Sequence, residues 1–284
     1  MCQTNTDHLD TSTLDLHPED RKLGHTFVNQ HTQGKHPHII ANSLAICLGI
    51  TSKNQKWDTK EEIVTSFPFF RTLVSGFCKT ASNGYAYSFY LAYDSVDQYF
   101  SDKKLLNMFR NNFYESVNNK CPTASNYSIH FVECSHQKQP AKAQNDACMA
   151  AYMDNNEFFY RLNDDSKMIT PNWTEKFIET LKSYDPPFVG VVGPAHRGGN
   201  LEVLTHECIH YTHIHIHGVH YPRVMIDWYA DEWITIIYRP THSTKLENVV
   251  LDHTMELGTR YKVRLKPREF LLKALKTGTD VVNK

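Results

Sequence analysis

Apolar and polar positions come in blocks along this chain, and the blocks change period in a regular order. S-L-A-I-C-L-G-I, 43–50, is a continuous apolar run, which suits a strand covered on both faces. Thr59-x-x-Glu62 has the spacing of a capping box before a helical pattern that Pro68 interrupts. Y-A-Y-S-F-Y-L-A-Y-D, 85–94, is rich in strand-forming aromatics. Leu105, Leu106, Phe109, Phe113 and Val117 then recur at helical spacing, and Y-S-I-H-F-V-E, 127–133, predicts a third strand. Pro140 suits the first turn of another helix, whose narrow face carries Ala143, Ala147, Ala150 and Ala151. E-F-F-Y-R-L, 157–162, predicts a fourth strand that runs straight into Asn163-Asp164-Asp165. Thr170 and Pro171 suit the cap and first position of a helix bearing Trp173, Phe177, Ile178 and Leu181. F-V-G-V-V-G-P, 188–194, predicts a fifth strand, and P-R-E-F-L-L-K-A-L-K, 267–276, a closing helix.

Strands alternating with crossovers of helix length predict an α/β fold: a mostly parallel central sheet with helices on both faces. The pattern places one domain over 41–265. Before it, residues 1–40 are polar, histidine-rich and aperiodic, and read as a mobile lead-in. After it, 266–284 hold the closing helix and tail.

Composition narrows the function classes. Lysine plus arginine number 30 against 31 acids, which leaves no electrostatic footprint for nucleic acid or an anionic membrane. No apolar run approaches the roughly 20 residues of a membrane helix, and MCQTNTDHLD lacks the apolar stretch of a signal peptide. The chain therefore reads as soluble and cytoplasmic, or as a piece of an anchored protein facing the Golgi lumen. Its seven cysteines form no C-x-x-C pair, which predicts idle thiols rather than a disulfide framework or a cysteine zinc site. Asn126-Tyr-Ser and Asn172-Trp-Thr match the glycosylation acceptor pattern, which matters only in a secretory chain.

Ligands of open α/β sheets bind beyond the carboxyl ends of the strands. Asp164 and Asp165 stand at such an end. Adjacent carboxylates repel unless a cation is present, and oxygen ligands suit Mg²⁺ or Mn²⁺. N-D-D is also good turn chemistry.

The run A-K-A-Q-N-D-A-C-M-A-A-Y-M-D-N-N-E-F-F-Y-R-L-N-D-D-S-K-M-I-T-P-N-W, 141–173, resembles the core of GT-A-fold glycosyltransferases of the family 2 kind, which use nucleotide-diphosphate sugars. In these a helix feeds a buried strand that ends in a D-x-D-like motif. Here the first acid is replaced by Asn163. The ordered likeness spans about 43–262 and implies roles by position. Asp165 and His253, the latter in D-H-T-M-E-L-G-T-R-Y (252–261), would hold a Mn²⁺ or Mg²⁺ ion. Thr51, Ser52, Asp94, Lys142, Asn145, Asn163 and Asp164 would face a UDP- or GDP-sugar. W-Y-A-D-E-W-I, 228–234, is similar to the acidic segment beside the acceptor. It would supply Asp231 as general base, with Glu232 second, and Trp228 and Trp233 to stack on a carbohydrate or other hydroxyl acceptor. A carboxylate attacking opposite the leaving group would invert the sugar.

Thr205 to His220 holds a competing signal. His206-Glu207-Cys208-Ile209-His210 spells H-E-x-x-H, the helical zinc site of many metallopeptidases. The extended form needs Gly at 213 and His at 216, where this chain has His213 and Ile216. His213, His215 and His217 alternate with Ile214 and Ile216, predicting a half-buried strand whose His213 lines an acceptor pocket or is structural. The alternatives are thus a zinc metallopeptidase and a catalytically inactive nucleotide-sugar-binding domain. P-A-H-R-G-G-N, 194–200, reads as a loop able to close over a donor, or as an idle turn.

Overall fold

A computed structural model describes residues 38–55, 57–59, 61–121, 125–197, 202–254 and 268–282. Nearly all of the 1–40 lead-in and all of 255–265 lie outside them. Strand β1 (Ile40–Ile50) leads through α1 (Glu61–Ser66) and a π-helical turn (Phe69–Val74) into α2 (Ser75–Thr80). Then follow β2 (Ala86–Asp94), α3 (Lys103–Lys120), β3 (Asn126–Cys134), α4 (Pro140–Met153), β4 (Asn156–Arg161) and β5 (Ser166–Met168). The chain continues with α5 (Trp173–Lys182), β6 (Val191–Arg197), β7 (Cys208–His210), α6 (Thr212–His217), α7 (Ala230–Ile237), β8 (Ser243–His253) and α8 (Arg268–Val282).

One sheet joins all the strands in the order β3-β2-β1-β4-β7-β6-β8-β5. β3, β2, β1 and β4 run parallel, and β6 is parallel to β8. Short β7 is antiparallel to both β4 and β6, and β5 is antiparallel to β8. The chain winds one way from β1 to β3 and returns to add β4 on the other side of β1, so the topological switch lies between β1 and β4. This is the mostly parallel α/β arrangement expected from the alternation of elements.

The apolar run of β1 shows why its pattern is continuous. Leu44, Ile46, Leu48 and Ile50 enter one core, with Phe69, Phe77, Phe109, Phe113 and Trp173. Ala45 and Cys47 enter the other, with Ala147, Cys148, Ile214 and Trp233. β4 does the same: Phe158 and Tyr160 face the first core and Phe159 the second. Helix α4 lies close on β1, where a Cβ on Gly49 would sit 3.4 Å from that of Ala143. The small-residue face read from the sequence is thus a close-approach surface.

Several local expectations are corrected. Residues 212–217 are a helix, not a strand. His213 and His217 lie one turn apart, buried with Ile214, so a period of two over so short a stretch was matched by a period of 3.6. Thr170 does not cap α5; its Oγ1 accepts from the Val250 amide at 2.9 Å, and the helix begins at Trp173 after Asn172 in the left-handed region. The expectation of idle thiols fails at Cys78 and Cys121, which form a disulfide. It holds at Cys47, Cys134, Cys148 and Cys208, which are free and buried. Pro194 to Arg197 belong to β6 rather than to a loop, and the glycines after them lie outside the described residues.

Candidate functional site

Because β1, β2 and β4 run parallel, their carboxyl ends present Thr51 and Ser52, Asp94, and Asn163 to Asp165 along one rim beside the switch point. β8 points the same way, being parallel to β6, and its last residue is His253. The β5–β8 pairing sets Ser166 opposite His253. It thereby brings two residues far apart in sequence together: His253 Nε2 lies 3.2 Å from Asp165 Oδ1. The same nitrogen is 3.2 Å from Asn163 Nδ2. Asp165 is nearly buried and Asp164 wholly so. The Asp165 carbonyl accepts from the Thr254 amide and hydroxyl, pinning the end of β8 to the rim.

Two further histidines flank this pair. The ring of His206 stands edge-on to His253 at 5.1 Å, and His196 lies 6.0 Å beyond. His206 Nε2 and Ser166 Oγ are 2.9 Å apart. Burial, then the Arg161 guanidinium and neighbouring imidazoles, hold His206 well below the ordinary histidine range.

The nucleotide side is more constrained than the sequence suggests. Asn145 is buried, and its Oδ1 accepts from the Tyr221 amide at 3.1 Å. It therefore fastens the 218–229 segment onto α4. The same segment is held by Ala141 N to Ile226 O at 3.2 Å and by Arg223 to Asp146 at 3.5 Å. Lys142, one position after Ala141 in α4, is half-buried there. Asp94 accepts from the Lys138 amide at 3.2 Å, and burial raises its carboxyl above the usual range.

The fastened segment ends in Trp228 and α7. Trp228 is 52% exposed. Asp231 and Glu232 occupy the first turn of α7 and are half-buried; Asp231 Oδ1 accepts from the Glu232 amide at 3.0 Å. Tyr229, before them, is in the left-handed region at φ 73°. A bulky residue held there is strained, a condition common at working sites.

Two acceptor assignments are corrected. Trp233 is fully buried, and its indole N–H donates to Ala274 O at 3.0 Å. His213 is buried too, with Nδ1 on the Tyr238 hydroxyl at 2.8 Å and Nε2 on His220 O at 2.9 Å. Neither has a face to offer a sugar.

The zinc-peptidase reading also fails. Cys208–His210 is a strand, so His206 and His210 are not set one helical turn apart on one face as the zinc motif requires. His210 is sandwiched against Phe188 and Tyr211, and burial lowers it to about 3. Glu207 is buried, and its Oε1 accepts from the Tyr221 hydroxyl and from His220 Nε2. Burial alone would lower His220. The Cys148 thiol and Glu207 reverse this and raise it to about 9; because the thiol is itself pushed well above its usual range, the Glu207 charge is the effective partner. Among the described residues no three His, Cys, Asp or Glu side chains are grouped to hold a metal ion.

Sequence reasoning missed Asp97, His206 as a neighbour of the rim, and Ser166. The only signal for Asp97 was a second acid three residues after Asp94. Nothing in the sequence marked the other two, whose roles arise from strand pairing.

No protein-family model matches this chain, and no curated protein sequence does. Among solved structures, the chain is similar to Staphylococcus aureus TarS residues 1–349 in complex with UDP, at 11% identity and a TM-score of 0.47, over 83% of this chain and 65% of that one. A second S. aureus TarS structure matches at 12% identity and 0.43, over 75% and 36%. UDP-glucose pyrophosphorylase complexed with UDP-glucose matches at 10% identity and 0.38, over 86% and 98%. The chain thus spans less than two thirds of either TarS structure. At these values the likeness concerns the course of the chain and carries no chemistry.

Proposed function

We propose that this chain is a glycosyltransferase that moves a sugar from a nucleotide-diphosphate donor, UDP- or GDP-linked, to an acceptor hydroxyl. The observation that carries this reading is the meeting of Asp165 and His253 at 3.2 Å on the carboxyl rim, at the switch point where α/β sheets bind ligands. One carboxylate and one imidazole suit Mn²⁺, and Mg²⁺ less well, with the other coordination positions left to diphosphate oxygens and water. When bound, such an ion would neutralise the charge of the departing diphosphate.

The chain's own residues do the rest. Asp94, with the backbone of Thr51 and Ser52, borders the nucleoside end, and Asn163 borders the sugar, whereas Asp164 is wholly buried and has no face to offer one. Lys142 and Asn145 support the rim from α4. An acceptor hydroxyl is a poor nucleophile, so its proton must be taken as it attacks. Asp231 takes it, with Glu232 as the alternate base, and transfer inverts the sugar. Trp228 offers the one broad exposed ring beside these acids, and a sugar face packs on it. Among the described residues no helix is long and apolar enough to cross a membrane. The Cys78–Cys121 disulfide favours an oxidising compartment, such as the Golgi lumen, over the cytosol.

The test is thermal unfolding with UDP and with GDP, each with and without Mn²⁺. A ligand at about a hundred times its Kd adds roughly 2.7 kcal/mol to the native state. A rise in Tm that needs nucleotide and metal together is expected, and no rise with either nucleotide would overturn the reading. Asn163, bonded to His253 where the family has an acid, favours a second reading of binding without turnover. Donor hydrolysis in the absence of acceptor separates the two.

A further inference from the structure

The loops that follow β1 and β2 are tied together by one buried carboxylate. Asp97 Oδ1 accepts from Ser52 Oγ at 2.5 Å and from the amides of Tyr99 and Phe100 at 3.0 and 3.1 Å. Its Oδ2 accepts from Thr51 Oγ1 at 3.0 Å and from the Ser52 amide at 2.8 Å. An ionised carboxylate offers about four acceptor sites, so both oxygens are saturated. The Asp97 amide in turn donates to Asp94 O at 2.8 Å, closing the turn that ends β2.

This bonding redefines what Thr51 and Ser52 can do. The Thr51 hydroxyl gives its proton to Asp97 and accepts from the Lys53 amide at 3.2 Å. The Ser52 hydroxyl also gives its proton to Asp97. Neither has a proton left for a phosphate or a base carbonyl. Asp94 remains half-exposed at the same place, an acceptor suited to a ribose hydroxyl or a base N–H.

We infer that Asp97 is the positioning residue for the nucleoside end of the site, and that Thr51 and Ser52 act there through it and through their backbone rather than by touching the nucleotide with their hydroxyls. The inference rests on the reading of the rim as a nucleotide-diphosphate site. Its physical basis is preorganisation: two loops bonded to one anion are ordered before the ligand arrives, so binding does not have to order them. An asparagine at 97 would turn an N–H₂ toward one set of these donors and break the clamp on that side.

The test is a double-mutant cycle read by calorimetric titration of UDP, or of GDP if the wild type prefers it, with Mn²⁺. Asp97→Asn is expected to weaken binding by about tenfold or more, and Ser52→Ala by less. The double variant should bind no more weakly than Asp97→Asn alone, because the serine hydroxyl acts only through Asp97. In donor hydrolysis the donor KM rises with kcat little changed, a split that general loosening of the fold would not give. Independent, multiplying effects of Ser52→Ala and Asp97→Asn would overturn the inference, as would unchanged affinity in Asp97→Asn. If Asp97→Asn is too unstable to titrate, Thr51→Val and Ser52→Ala, singly and together, carry the same test: each loosens the clamp, so losses well under tenfold that fall on donor KM are expected, and a loss in kcat alone overturns it. A wild type that binds neither nucleotide brings down the glycosyltransferase reading and this inference together, whereas a wild type that binds and an Asp97→Asn variant of unchanged affinity bring down this inference alone.

Discussion

The rim at Asp165 and the segment from Thr205 to His220 hold much the same chemistry in opposite surroundings. Both carry histidines beside a carboxylate. At the rim, His253 and Asp165 come from different strands and meet at 3.2 Å where parallel strands end and keep some access to solvent. In the segment, Glu207 and His220 meet at 3.1 Å with no exposed surface at all. A site needs a side for the ligand. The rim has one, while the segment closes on itself through Tyr221, His213 and Tyr238. Thus the letters H-E-x-x-H mark a polar core joint, and the letters N-D-D lead to the proposed site.

The sharpest way to break this comparison is Asp165→Ala. We expect it to abolish the further stabilisation that nucleotide and Mn²⁺ together add to the unliganded variant, as measured by thermal unfolding. A retained shift would move the site away from the rim. Next in size is Glu207→Ala. Removing one partner of a buried pair leaves the other charge uncompensated, at a cost of about 3–5 kcal/mol. Urea unfolding should show that loss, equally with and without zinc. A loss that zinc repairs would return the segment to metal chemistry.

Most of the fold could be read from the chain because β1, β2 and β4 are buried on both faces along most of their length. β1 and β4 announced themselves as unbroken apolar runs, and Pro140 marked the start of α4. What could not be read was pairing. β7 and β5 are only three residues long, too short for any period, and they decide which histidine reaches the rim. The same limit explains the errors at His213 and Trp233. Trp233 directly follows the acids of α7 and His213 belongs to a run of histidines, but α6 and α7 are amphipathic and turn these two side chains into the core. Only the helix phase showed which way they faced.

The histidines of the Thr205–His220 segment should also give stability a pH dependence. Burial holds His210 and His217 down at about 3 and 4, and His213 well below 6.5. The unfolded chain therefore binds more protons below 6.5, and stability falls as the pH drops from there toward 4, by up to about 1.4 kcal/mol per unit for each histidine. His220 works in the opposite sense. Raised to about 9, it contributes stability that is fully present below 6.5 and lost as the pH rises through 9. Urea unfolding from pH 4.5 to 9.5 should give a dome peaking near neutrality. His217→Leu should flatten its acid limb and His220→Gln its alkaline one. An alkaline limb unchanged in His220→Gln would show that the Glu207–His220 pair is not charged in the native state.

The smallest stability effect belongs to the residue that sharpens the acceptor side. Trp228 is half-exposed, and its amide bonds only to the adjacent Asp227 carboxylate at 2.8 Å. Its ring is therefore not holding the fold together, and Trp228→Ala should change unfolding free energy by no more than about 0.5 kcal/mol. A large ring exposed three residues before Asp231 is instead proposed to pack against a sugar. Acceptor KM should accordingly rise several-fold, with donor affinity and the UDP–Mn²⁺ thermal shift unchanged. Trp233→Phe gives the contrasting result, losing stability through its bond to Ala274 and its place in the core while leaving acceptor KM alone. If the two tryptophans exchanged these behaviours, the acceptor would enter from the core side of α7, and the rim would no longer be the whole of the site.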